Sequence, residues 1–136
     1  MLENPKVNIK IKLAALWTSV LFCYVYGDYF ELYVPEKVEG LLTGDNILDS
    51  PTKLLIASLV LAIPAVMIAL SVLLNPKVNR VLNVLFGTIF TLMMLLIGIT
   101  SITPWYGFYV FLAFLESLIT FSIVWFAWKW PKQIAG

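Results

Sequence analysis

The sequence predicts an all-α integral membrane protein, a single domain over residues 1–136 in which four transmembrane helices form a bundle. Three observations predict this fold class. Four apolar runs of about 20 residues follow one another, and each is long enough for a helix to cross the hydrocarbon core of a bilayer. Charged residues make up 12% of the chain, whereas a soluble domain has about 25%. The mean hydropathy of the chain is +0.93.

The first helix is predicted at about residues 11–33 and is expected to be retained. Its apolar run exceeds the roughly 7–15 residues of a signal-peptide core, and aromatic and acidic residues stand where a small-residue cleavage site would lie. Residues 34–51 then interrupt the apolar pattern. This segment is predicted to be either a solvated loop or a short amphipathic helix in the membrane interface, since Val38, Leu41 and Leu42 share one helical face.

Three further helices are predicted at about residues 52–74, 81–101 and 105–130. A serine–proline pair precedes the second helix and a threonine–proline pair precedes the fourth, and proline favours the first position of a helix. An asparagine–proline pair ends the second helix, and a tight turn NPKVNR leads into the third. Pro64 lies in the middle of the second helix, where a membrane helix tolerates it if the freed backbone group finds another partner.

Basic residues are unequally divided between the two ends of the predicted bundle. The end that holds both termini and the turn at residues 75–80 carries seven of the nine basic residues, namely Lys6, Lys10, Lys12, Lys77, Arg80, Lys129 and Lys132. The opposite end carries Lys37 and Lys53 together with six of the eight acids. Because cytoplasmic loops are enriched in Lys and Arg, we expect a multi-pass protein of the inner (plasma) membrane with both termini in the cytoplasm.

Glu116 lies near the middle of the fourth predicted helix. An acid at that depth costs about 3 kcal/mol or more, so it normally faces protein or a water-filled cavity. At about 1.5 Å per residue, Glu116, Thr91 and Pro64 all come out roughly 16 Å from the outer ends of their helices. We therefore expect a protonated Glu116 to donate a hydrogen bond to the carbonyl of Val60, which Pro64 leaves without a donor, or to hydrogen-bond to Thr91.

A second acidic cluster lies at the outer end of the first helix, where Asp28, Glu31 and Tyr24 share one helical face. Two interpretations stay open. The acids either mark the headgroup region, or they form the mouth of a cavity that contains Glu116. The candidate ligand-binding or proton-exchanging residues are accordingly Glu116, Thr91, Asp28, Glu31, Tyr24 and Tyr109.

Small residues recur at helical spacing on two of the predicted spans, a pattern that lets membrane helices approach closely. The stripe on the third helix is Gly87, Thr91, Met94, Gly98 and Ser101. The stripe on the second helix is Ser58, Ala62, Ala65 and Ala69. Either stripe could pack inside the bundle or form the interface of a homo-oligomer, and both alternatives stay open.

Four stretches of the chain resemble a family of small prokaryotic four-helix membrane proteins of unknown function, loosely similar to the DoxX-like group. These stretches are GDYFELYVPEKVEGLLTG, LAIPAVMIALS, NPKVNRVLN and LESLITFSIVWFAWKWP. The resemblance covers nearly the whole chain and implies the four-helix architecture, but the family has no assigned chemistry. A weaker similarity to the sterol-isomerase and sigma-2-receptor group extends to the four-helix architecture alone. It does not imply an isomerase mechanism, because the second helix here carries no acid.

Composition excludes several classes of function. The chain has no histidine and one cysteine, Cys23, so His-ligated metal or haem sites and internal disulfides are excluded. No phosphate-binding glycine motif is present, and a net charge of +1 gives no reason to expect a nucleic-acid partner. We expect no cofactor and no metal, and an enzyme is not favoured because no activated nucleophile is visible.

Three functions remain. The first is a binding or carrier protein for a small lipophilic molecule of lipid, amine or quinone type, with Glu116 as its buried polar anchor. The second is a non-catalytic subunit or assembly factor of a membrane complex, with residues 34–51 as the docking surface. The third is a proton-coupled exporter resembling the small multidrug-resistance transporters, although those carry their membrane glutamate on the first helix.

Overall fold

The structure is a computed structural model that describes residues 1–132. Its helices are α1 (Ile9–Glu31), α2 (Lys37–Thr43), α3 (Pro51–Leu73), α4 (Pro76–Thr100) and α5 (Gly107–Trp128), with a 3-10 turn at Pro104–Tyr106. No strand occurs in the described part of the chain. Four helices are long and apolar enough to cross a membrane, namely α1, α3, α4 and α5 with its 3-10 turn. The predicted all-helical fold with four candidate spans is therefore confirmed, while residues 133–136 of the predicted domain lie outside the described residues.

Polar side chains cap the starts of three of the long helices. Side-chain oxygens of Asn8, Ser50 and Asn75 each accept a hydrogen bond from a backbone N–H two or three residues later, which satisfies donors that have no partner inside the helix. Because Asn75 is such a cap and Pro76 takes the first helical position, α4 begins five residues before the predicted residue 81. Two residues alone therefore connect α3 to α4.

The segment between α1 and α3 contains a helix of seven residues, α2. Glu36 at its start has a φ of 69° and Gly44 at its end a φ of 81°, so left-handed backbone bounds the helix on both sides. An ion pair of 3.0 Å joins Lys37 Nζ to Glu31 Oε1. This hydrogen bond raises the pKa of Lys37, so the lysine is charged at neutral pH and attaches α2 to the end of α1.

The four long helices are arranged in the order α3, α1, α5 and α4, with broad contacts between successive members. The side chains of Trp17, Met67, Phe90 and Ile123, one from each helix, are almost completely buried between them. α3 and α4 would complete the ring, but they contact each other over a short stretch. The bundle is therefore tightly packed except along the α3–α4 side.

α4 and α5 approach closely because small residues line their contact. A Cβ atom at Gly87 would lie 2.7 Å from Cγ2 of Val124, and one at Gly98 would lie 3.1 Å from Cβ of Ala113. Both distances are shorter than an ordinary carbon–carbon contact. The predicted small-residue stripe of the third span therefore packs inside the bundle.

The stripe predicted on the second span is placed differently. α3 buries Pro64, Met67 and Ser71, and its small-residue stripe lies on the opposite side of the helix. That stripe is exposed along its whole length, at Ser58, Ala62, Ala65 and Ala69. It therefore contributes nothing to packing between the helices of one chain.

A buried network of hydrogen bonds closes the bundle near the α3–α4 connection. Trp17 Nε1 donates to Asn83 Oδ1 at 2.7 Å, Asn83 Nδ2 donates to Asn79 Oδ1 at 2.6 Å, and Asn79 Nδ2 donates to the Ser71 carbonyl at 2.7 Å. Asn79, Asn83 and Ser71 are all fully buried. Because these groups satisfy one another away from water, they join α1, α3 and α4 at this end.

Replacing Asn83 with leucine tests this network. Asn83→Leu leaves Trp17 Nε1 and Asn79 Oδ1 buried without their partner, and we expect the free energy of unfolding to fall by about 1–3 kcal/mol. Reversible unfolding in mixed micelles measures it. Ser58→Leu, the matched control on the exposed face of α3, should change stability by less than about 0.5 kcal/mol. Equal effects of the two substitutions would contradict the network.

Valine substitutions at two glycines of contrasting surroundings test the α4–α5 contact. At Gly87 the new side chain meets Val124, and such overpacking costs about 1–3 kcal/mol. At Gly107 nothing lies within 4 Å of the added Cβ, so the free energy of unfolding of the Gly107→Val protein should equal that of the parent protein. The same unfolding assay compares them, and an unaltered Gly87→Val protein would show that α4 and α5 do not approach as described.

Candidate functional site

A cavity of about 320 Å³ lies between α3 and α4, in the half of the bundle away from their connection. Apolar side chains of α3 and α4, with Leu48 of the loop before α3, make up most of its wall. Four polar side chains complete it, Tyr24, Asp28, Tyr109 and Glu116. Ligand pockets in proteins have volumes of about 300–1,000 Å³ and this mainly apolar composition with a few polar groups.

The cavity exists because α3 and α4 are joined at one end and separate toward the other. Near the connection the Asn79 side chain reaches the Ser71 backbone at 2.7 Å. Toward the opposite end, Ala57 of α3 and Ile97 of α4 stand on the two sides of the cavity. The gap therefore opens in the half of the spans that carries the loops at residues 32–50 and 101–106.

Glu116 is buried, with 5% of its surface exposed, and it lines this cavity. Its backbone carbonyl accepts a hydrogen bond from Thr120 Oγ1 at 3.0 Å. No residue within 1–132 forms a hydrogen bond or ion pair with its carboxyl group. Val60 lines the same cavity, but the hydrogen bond predicted between its carbonyl and Glu116 is not formed. The polar group of Glu116 is therefore available to a molecule in the cavity.

Thr91, the other predicted partner of Glu116, is bonded elsewhere. Its Oγ1 lies 2.7 Å from the Gly87 carbonyl and 2.7 Å from Thr120 Oγ1. In the antiparallel register that pairs Thr91 with Thr120, Glu116 faces residue 95, one helical turn farther along. The predicted depths of Glu116 and Thr91 were counted from the outer ends of their own helices. Because α5 with its 3-10 turn extends beyond the end of α4, equal counts leave Glu116 and Thr91 one helical turn apart.

Tyr24 contributes a second polar group without a partner, and its hydroxyl is fully buried. Its side chain is 7% exposed and stacks on Phe90 with ring centroids 5.9 Å apart. The hydroxyl has no hydrogen-bond partner among the described residues. An unpaired buried polar group costs about 1–3 kcal/mol, so Tyr24 and Glu116 together favour occupation of the cavity by a molecule that bonds to them. The sequence placed Tyr24 on the correct face but gave no sign that its hydroxyl is unpaired.

The structure divides the predicted acidic mouth into two parts. Glu31 forms the ion pair with Lys37 and accepts a hydrogen bond from Tyr106 at 3.1 Å, so its charge is already compensated. Asp28 has no ion pair with any residue in the described range. Asp28 and Leu48 line both the cavity and a neighbouring depression of about 290 Å³, which Glu31 and Lys37 also line. Asp28 is therefore the acid that connects the cavity to the loop end of the bundle.

These groups suit non-covalent binding. Two carboxyl groups and two phenol groups on an apolar wall can hold a hydrogen-bonding head group beside an apolar body. Within residues 1–132, no group of three or more His, Cys, Asp and Glu side chains is placed to hold a metal ion.

Comparisons with known proteins agree with the resemblance seen in the sequence at the level of the family. A profile of a family of unknown function, DUF6326, matches residues 4–135. Searches of curated proteins and of solved structures found no match. Because the profile covers nearly the whole chain, this protein belongs to the family of unknown function DUF6326.

Proposed function

We propose that this protein is a membrane-embedded binding or carrier protein for a small lipophilic molecule, with Glu116 as its polar anchor. The observation that carries the proposal is the unpaired Glu116 carboxyl on the wall of a largely apolar cavity. Buried polar groups in proteins almost always have a partner, and an acid inside a membrane span is expensive to keep. A bound molecule supplies the missing partner.

The position of the cavity suits a molecule that arrives through the bilayer. α3 and α4 are neighbours that barely touch in this half of the bundle. Leu61 lines the cavity and is 37% exposed on the outer surface of the helices. An apolar molecule can therefore pass from lipid to the cavity between α3 and α4 without crossing the packed α4–α5 contact.

The proposal includes an orientation in the plasma membrane with both termini in the cytoplasm. Seven of nine basic residues belong to the end with the termini, as the positive-inside rule requires. Two contacts support the grouping of these residues at one end. Arg80 Nη2 donates to the Trp128 carbonyl at 3.0 Å, and Lys12 Nζ lies 5.3 Å from the centre of the Phe126 ring. The cavity then opens toward the outer leaflet.

One observation favours a second function, that of a non-catalytic subunit of a membrane complex. Leu42 on α2 and Ile47 in the following loop are 83% and 82% exposed. Apolar side chains so exposed at the loop end suit contact with a second protein or with lipid headgroups. Co-purification of a stoichiometric partner that is lost in a Leu42→Ser, Ile47→Ser double variant would favour the subunit function.

The binding proposal is tested by filling the cavity. Ala57 lines it, so Ala57→Phe places a ring in the space that the lipophilic molecule needs. Native mass spectrometry of the purified protein should show bound lipophile reduced to about a tenth of the wild-type amount or less, which requires the affinity to fall by at least about tenfold. Ala62→Phe is the matched control, because Ala62 is exposed on the same helix.

The control should retain the bound molecule at the wild-type level. A wild-type protein that carries no lipophile in any preparation would contradict the proposal. Equal loss of the molecule in Ala57→Phe and Ala62→Phe would also contradict it, because the binding site would then lie outside the cavity.

A further inference from the structure

We propose that the molecule bound in the cavity is a free lipophilic amine in its ammonium form, held by the carboxyl groups of Glu116 and Asp28. The inference rests on the proposed function and names the chemical class of its ligand. It follows from the charges on the cavity wall, the hydrogen-bonding capacity of its polar groups and the shape of its apolar part.

The side chains on the cavity wall that can carry a charge at neutral pH are both carboxylic acids. Glu116 and Asp28 belong to its wall, and no lysine or arginine within residues 1–132 does. Lys37, a basic residue of the loop end, is paired with Glu31 and lines the neighbouring depression instead. A ligand with a carboxylate or phosphate would find no cation in the cavity, whereas an ammonium group would neutralise acids already present.

Hydrogen-bonding capacity leads to the same class of ligand. A carboxylate has acceptors alone, and a tyrosine hydroxyl can accept as well as donate. The Glu116 carboxyl and the Tyr24 hydroxyl both lack a partner among residues 1–132. An ammonium group carries up to three N–H donors, which suffice for Glu116, Asp28 and Tyr24. Charge-assisted bonds of this kind are about twice as strong as neutral ones.

The remaining wall accommodates an apolar chain. Val60 and Leu61 of α3 face Met93 and Ile97 of α4 across the gap. Methionine side chains are flexible and adapt to ligands of irregular shape. The ammonium group would lie at Glu116 while the hydrocarbon chain extends between α3 and α4 toward lipid.

An ammonium group is also present in the headgroup of phosphatidylethanolamine, and the cavity distinguishes between the two sources. A phosphatidylethanolamine headgroup brings its phosphate next to the ammonium. That phosphate would lie beside Asp28, and Lys37 of the adjoining depression is already paired with Glu31, so the arrangement of like charges disfavours binding. The charges therefore favour a free amine.

The experiment compares decylamine with decanol, two probes with the same alkyl chain. Equilibrium dialysis is done with the protein in phosphatidylcholine nanodiscs at neutral pH, and uptake by empty nanodiscs is subtracted. We expect decylamine to bind at least about tenfold more tightly than decanol. Glu116→Gln and Asp28→Asn should each weaken decylamine binding about tenfold or more, and each should weaken decanol binding less than decylamine binding.

Two controls make the result specific. Glu39→Gln removes an exposed acid of α2 outside the cavity wall, so it should leave decylamine binding unchanged if contact with the carboxyl groups is required. Exchanging phosphatidylcholine for phosphatidylethanolamine tests the lipid headgroup as a competitor. A fall in decylamine affinity after that exchange would overturn the assignment to a free amine.

The remaining outcomes separate this inference from the proposed function. Equal binding of the two probes, weakened to the same extent by Glu116→Gln and lost in Ala57→Phe, would overturn the amine and leave the lipophile-binding function standing with Glu116 as its anchor. Failure of the cavity to bind either probe, in a protein whose unfolding is normal, would overturn both.

Discussion

The free energy required to bury the Glu116 carboxyl in a membrane span is the constraint on which the functional interpretation depends. The side chain is 5% exposed, and no described residue pairs with its carboxyl group. An ordinary bundle would remove this cost by supplying a hydrogen-bond donor from a neighbouring helix. Here the neighbouring space is a cavity, and the ligand that we propose would supply the missing hydrogen-bond partner.

The rest of the fold keeps that cavity open. The bonds among Trp17, Asn79, Asn83 and the Ser71 carbonyl hold α1, α3 and α4 together at the end with the termini. Close packing at Gly87 fixes α5 against α4. Because α3 touches α4 over a short stretch, the helices separate toward the loop end. The four helices are therefore packed together in the half near the α3–α4 connection, whereas α3 and α4 are separated by the cavity in the other half.

Much of this architecture follows from the sequence, because span length, apolar content and the inward face of Glu116 depend on one helix at a time. The partners of Glu116 could not be predicted in the same way. They depend on the register between α4 and α5, which the Thr91–Thr120 contact sets one turn away from the estimate based on helix ends. Predicting the Asn83 network and the unpaired Tyr24 hydroxyl likewise requires the relative positions of several helices. No local sequence pattern gives those positions.

The central claim is that the Glu116 carboxyl faces a cavity and takes its partner from outside the protein. A crystal structure of the protein grown from a lipidic mesophase tests this most directly. The account predicts electron density of a non-protein molecule between α3 and α4, within hydrogen-bonding distance of the Glu116 carboxyl. A closed α3–α4 contact, with the carboxyl bonded to Thr91 or to the Val60 carbonyl, would contradict it.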